Sequence, residues 1–84
     1  MQLKKLRFRA WHRGTREADM IIGGFVDKFG DSFSDRDLSW FEVLLEEQDI
    51  DILNWITGKE PAPARFTGPL MQAMQKLDYL DPAK

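Results

Sequence analysis

The sequence predicts an all-α protein: a compact antiparallel bundle of five short helices, forming one domain over residues 1–84. Three observations carry this prediction. Apolar residues recur at i, i+3 and i+4 in successive stretches. No stretch alternates with period two, and no Asn-Gly or Asp-Gly pair marks a hairpin. Glycine, proline and short polar residues interrupt the periodic stretches at close intervals, so the helices are short and the joints shorter still. A chain of 84 residues that is 43% hydrophobic, with six Phe, three Trp and four Met, has material for one core and no second.

In the first element, Leu3 to about His12, Leu6 and Ala10 join Leu3 on one helical face, while Phe8 and Trp11 lie on an adjoining one. Gly14 interrupts the pattern as a helix-end glycine or an N-cap, and Thr15 is a second candidate for the cap. Ala18, Ile21, Ile22, Phe25 and Phe29 then define a second helix ending near Gly30. Gly23 and Gly24 sit inside it, each costing about 1 kcal/mol relative to alanine. That double penalty predicts a closely packed second backbone or a bend.

"SDRD" opens the third helix with a capping box of Ser34 and Asp37, and Leu38, Phe41, Leu44 and Leu45 form its buried stripe. Asp49 is placed as the cap of a short fourth helix with Ile52, Leu53 and Ile56 inward and Gly58 at its end. "GKEPAPAR" has no period and reads as an extended connector. Leu70, Met71, Met74 and Leu77 make the fifth helix, opened by Thr67 or Gly68 with Pro69 in the first turn. Phe25, Phe29 and Phe41 are assigned to the core, and Trp40 and Trp55 to its rim.

The functional classes narrow quickly. The absence of cysteine removes disulfides, thiolate metal sites and cysteine nucleophiles. The lone His12 has no motif partner, "IIGGF" and "TGKE" lack phosphate-loop spacing, and "LLEEQDIDIL" lacks the glycine of a calcium loop, so no catalytic or metal residue is assigned. No apolar run approaches the ~20 residues needed to span a bilayer, and no secretory core is seen, so a cytosolic location is expected. The net charge of −2 divides unevenly: residues 1–16 hold six bases and no acid, leaving −8 on the remainder. A basic helix of this kind offers an alternative reading, a small nucleic-acid-associated or antitoxin-like regulator, but the acidic body opposes a polyanion and no recognition helix is evident. Membrane-surface attachment through "LKKLRFRAW" lacks a second anchor.

The charge is densest at the joint "WHRGTREAD", residues 11–19, where Trp11, Arg13, Gly14, Arg16, Glu17 and Asp19 crowd one break between helices, with Arg9 one turn earlier. Two readings fit it. In one, Gly14 caps the second helix, Glu17 reaches back from N3, and Arg13 sits in solvent at the first helix's end. In the other, a half-exposed tryptophan beside arginines is the composition of a binding hot spot.

The run Arg13-Gly14-x-x-Glu17 also resembles the RGxxE motif of the SdhE-like FAD assembly factors, known too as succinate dehydrogenase assembly factor 2. Asp19, the segment "SDRDLSWFEVLLEEQDIDILNWITG" with its Asp-x-Asp-x-x-x-Trp pattern ending at Trp55, and the Pro-Ala-Pro connector extend the likeness from about Leu6 to Leu77. The resemblance implies a chaperone-like helper and no enzyme. Such a helper binds the flavoprotein subunit of succinate dehydrogenase or fumarate reductase and promotes covalent attachment of FAD to a histidine of that subunit. It also implies that FAD is handled on the client, with none held firmly by the helper. The expected setting is the bacterial cytoplasm, or the mitochondrial matrix for a eukaryotic chain, and the free protein is expected to be a monomer.

Carried over, Arg13, Gly14 and Glu17 become partner-binding residues, with Arg9, Trp11, Arg16 and Asp19 beside them. On this reading Gly14 admits the partner's backbone, Arg13 offers a planar fork to a carboxylate or carbonyl, and Glu17 orients that fork or accepts hydrogen bonds.

Overall fold

In the computed structural model, which describes residues 2–80, the chain forms α1 (Leu3–Trp11), α2 (Arg16–Phe29), α3 (Asp35–Leu44), α4 (Asp49–Thr57) and α5 (Pro69–Lys76). Short 3-10 turns occupy Gly30–Ser32 and Ala64–Phe66, and no strand occurs among the described residues. The five-helix, all-α expectation therefore holds. The second 3-10 turn lies in the proline connector, which is less extended than its composition suggests.

The longest helix organises the rest. α2 buries Ala18, Ile21, Ile22, Phe25 and Val26, the face its apolar spacing defines, and α1 packs along it through Leu6 and Ala10. Phe25 stands at the centre, stacked on Phe41 of α3 at 5.8 Å and met edge-on by Tyr79 at 5.2 Å. On the far side α4 packs against α5, and Trp55 stacks on Phe66 at 5.4 Å. Trp55 is only 7% exposed, so it belongs to the core and not the rim; Trp40 is half-buried and its indole donates to the Arg65 carbonyl.

Capping chemistry sets most of the helix ends. Ser34 and Asp37 form the reciprocal capping box, satisfying two donors that the helix start leaves unpaired. Gly58 ends α4 in the left-handed region, and Gly68 precedes Pro69 at the start of α5. Leu77 takes φ 54, a left-handed position that usually falls to glycine. The tail beyond it supplies the reason. The chain turns back so that the Tyr79 hydroxyl donates to the Ile21 carbonyl at 2.7 Å, anchoring the tail on α2. Burial, with Asp78 adjoining, pushes the phenol's pKa well above its usual value, so this donor keeps its proton.

Two local expectations are corrected. Asp49 does not cap α4: Gln48 occupies the N-cap and Asp49 the first helical position, its carboxylate engaged elsewhere. The mid-helix glycines do not admit a second backbone. Gly23 instead receives the Trp11 ring, so close that a Cβ there would stand 2.5 Å from a ring carbon. Gly24 has ordinary clearance, with the nearest atom 3.5 Å from the same position.

Candidate functional site

α1 ends at Trp11 with His12 as its C-cap, and two residues on the chain turns through Gly14, which takes φ +106. That angle is nearly forbidden to residues bearing a Cβ, so glycine is required here by backbone conformation. Space around it is open: a Cβ would meet nothing within 4 Å. Thr15 is the N-cap of α2, accepting from the Ala18 amide at 3.2 Å, which displaces Gly14 from that role and moves Glu17 from N3 to N2. Glu17 and Asp19 both lie in the first turn, where carboxylates face the positive end of the helix dipole.

Arg13 departs most from expectation. Its fork does not face solvent; its side chain is 12% exposed. Nε donates to Asp49 Oδ1 at 2.7 Å, one terminal nitrogen to the Leu45 carbonyl at 2.8 Å, and the other to the Glu47 carbonyl at 3.0 Å. Leu45 is the C-cap of α3, so one of these bonds satisfies a carbonyl left over where that helix stops, and the bond to Glu47 satisfies a carbonyl of the turn that follows. The third is a charge-assisted bond to the opening residue of α4. The backbone amide of Arg13 is held as well, donating to Asp19 Oδ1 at 2.6 Å. Arg13 thus clamps the α1–α2 elbow to the α3–α4 turn, and its planar geometry is spent inside the molecule.

The remaining candidates divide into two sets. Trp11 and Asp19 are half-buried and hold the elbow in place. The Trp11 ring lies on Gly23 and its Nε1 donates to Asp27 Oδ2 at 3.1 Å; Asp27 also pairs with Arg7 at 3.1 Å. Gly14, Thr15, Arg16 and Glu17 are exposed. Arg16 is notable because it occupies the first position of α2, where a cation opposes the dipole, and forms no ion pair among the described residues. Arg9 is half-buried and likewise unpaired among them. Beside the elbow opens a depression walled by Trp11, Thr15 and the 39% exposed Met20.

The arrangement presents a solvent-facing elbow, bonded from behind through Arg13, Asp19 and Trp11, with backbone, the Glu17 carboxylate and the Arg16 cation, unpaired among the described residues, in front. Sequence reasoning missed Asp49 and the Leu45 and Glu47 carbonyls as parts of this site. A separation of 36 residues between Arg13 and Asp49 carries no local signal, and an acid at a helix start reads as a cap.

A family model described as flavinator of succinate dehydrogenase matches residues 4–78 of the chain. Over 71 residues the chain is 38% identical to an FAD assembly factor SdhE of Acetobacter pasteurianus, an alignment covering 84% of this chain and 65% of that protein. It is 35% identical over 65 residues to a mitochondrial succinate dehydrogenase assembly factor 2 of Mycosarcoma maydis, covering 77% and 27%. With its counterpart in Dictyostelium discoideum it shares 30% over 79 residues, covering 94% and 56%. In each case the chain spans less than two thirds of the relative's own length.

Proposed function

The chain belongs to the family of flavinators of succinate dehydrogenase, and from that membership we propose that it is a chaperone-like assembly factor that docks on a flavoprotein subunit and promotes its covalent flavinylation. The client is the flavoprotein subunit of succinate dehydrogenase or of fumarate reductase, and FAD is carried by that client. The observation that carries the reading is the exposed run Gly14–Glu17 on an elbow immobilised by Arg13, Asp19 and Trp11. A surface already ordered before contact loses little conformational entropy on binding.

The helper's contribution is geometric. Bond formation between a flavin and a histidine depends on the two being held in reactive alignment, and effective molarities for well-oriented groups reach on the order of 10⁵ M or more. A rigid elbow wedged against the client fixes how the client's own parts face each other, so the helper needs no catalytic residue. Arg16 and Glu17 supply opposite charges side by side at the contact, which sets orientation more than raw affinity.

Binding of the purified flavoprotein subunit, read together with circular dichroism, tests this. Glu17→Ala should weaken binding with helical content unchanged, because Glu17 is exposed and its dipole contribution is only about 0.3–1 kcal/mol. Gly14→Arg should abolish binding and also lower the melting temperature, because φ +106 strains any side chain. Undiminished binding by both variants would refute the elbow as the docking surface.

A further inference from the structure

Asp49 lies outside the motif that marks the elbow, yet it is the charged partner of that motif's arginine. The bonds that the α1–α2 joint, residues 12–15, makes on its own are all local, to α1 and the first turn of α2: the His12 amide to Arg9, the His12 ring to the Phe8 carbonyl, the Arg13 amide to Asp19, the Asp19 amide to the Thr15 carbonyl, and the Thr15 cap. The side chain of Arg13 adds three bonds, and all run to the α3–α4 turn. Of their acceptors only Asp49 carries charge, and with side chains 12% and 24% exposed the Arg13–Asp49 pair is shielded enough to be stronger than an ordinary surface ion pair.

We propose that Asp49 is a positioning residue for client docking, acting through Arg13 to hold Gly14–Glu17 in its binding conformation; this rests on the docking reading of the elbow. Without the carboxylate the guanidinium keeps two neutral carbonyl acceptors and loses its counter-charge. Its head then drifts toward water, and the backbone that it pins gains freedom. A loosened elbow must be reordered at each encounter, and affinity falls by that cost. The chain is thereby read as one docking unit built from two joints, with the α3–α4 turn as the support of the α1–α2 elbow.

A double-mutant cycle on the full chain tests this, using Arg13→Ala, Asp49→Ala and the double variant against the purified flavoprotein subunit. Asp49→Asn serves as the variant that preserves shape and fold. Asp49→Ala and Asp49→Asn should each weaken binding about tenfold, and the double variant should bind no worse than Arg13→Ala, since coupled residues in contact do not add. In the free protein, amide hydrogen exchange at residues 14–17 should accelerate in both Asp49 variants while helical content is retained.

Wild-type affinity in the Asp49 variants overturns the inference and leaves the docking reading standing. So does a double variant whose loss is the product of the two single losses, or lost binding with unchanged exchange at the elbow, because either makes Asp49 a direct contact. A wild-type chain that does not bind the subunit overturns the docking reading and this inference with it.

Discussion

Gly23 and Gly24 are neighbours in α2 with opposite surroundings, and they illustrate what a single residue decides here. Alanine at Gly24 meets only ordinary contacts, so it should stabilise by up to about 1 kcal/mol through helix propensity. At Gly23 the same change drives a methyl into the Trp11 ring. Overpacking costs about 1–3 kcal/mol and outweighs the propensity gain, so a net loss of roughly 1 kcal/mol is expected. Thermal melts of the two variants, with the Trp11 indole N–H resonance as a local probe, check the sign; equal stabilisation by both would show that the ring does not depend on that notch. The pair of glycines was visible in the sequence as an unexplained double penalty. Its cause was not, because the contact joins residues on two different helices. Arg13 teaches the same lesson: its charge and position in the motif were legible, whereas the three acceptors that occupy it lie 32, 34 and 36 residues away.

The helices were legible as elements because each combines an apolar period with a local stop or start signal. α3 shows this best: its start is written in four consecutive residues, Ser34 to Asp37, and the capping box forms as read. Ser34→Ala should cost about 1 kcal/mol, measured by chemical denaturation, with the slope unchanged. A null effect would show that tertiary packing alone sets the start of α3. The start of α4 was misassigned because Asp49 satisfies the cap preference locally while a distant arginine claims it. Phe66 and Tyr79 escaped the core assignment for a related reason. Both lie outside the regular helices, in a 3-10 turn and a C-terminal turn, where no period announces a buried face, yet they are 1% and 8% exposed.

At the scale of the whole molecule, the division between a basic N-terminal stretch and an acidic remainder persists in the fold but is partly neutralised. Arg7 pairs with Asp27 and Arg13 with Asp49, which leaves Lys4, Lys5, Arg9 and Arg16 without ion pairs among the described residues. Part of the charge asymmetry is thus structural, since two arginines fasten α1 and its elbow to acids of the body; steering of an acidic partner by the other four bases is the expectation of the docking proposal. No helix among the described residues is long and apolar enough to cross a membrane. Fold class and the location of the elbow were readable from pattern and motif. The division of the elbow into an inner clamp and an outer face was not, since it depends on how five helices pack around Phe25.

The most direct test of the account is amide hydrogen exchange on the complex between this chain and the flavoprotein subunit. Docking through the elbow predicts new protection at residues 14–17 and the first turn of α2, with α5 exchanging as in the free protein. Protection confined to α5 or to the outer face of α3, with residues 14–17 unchanged, would contradict it.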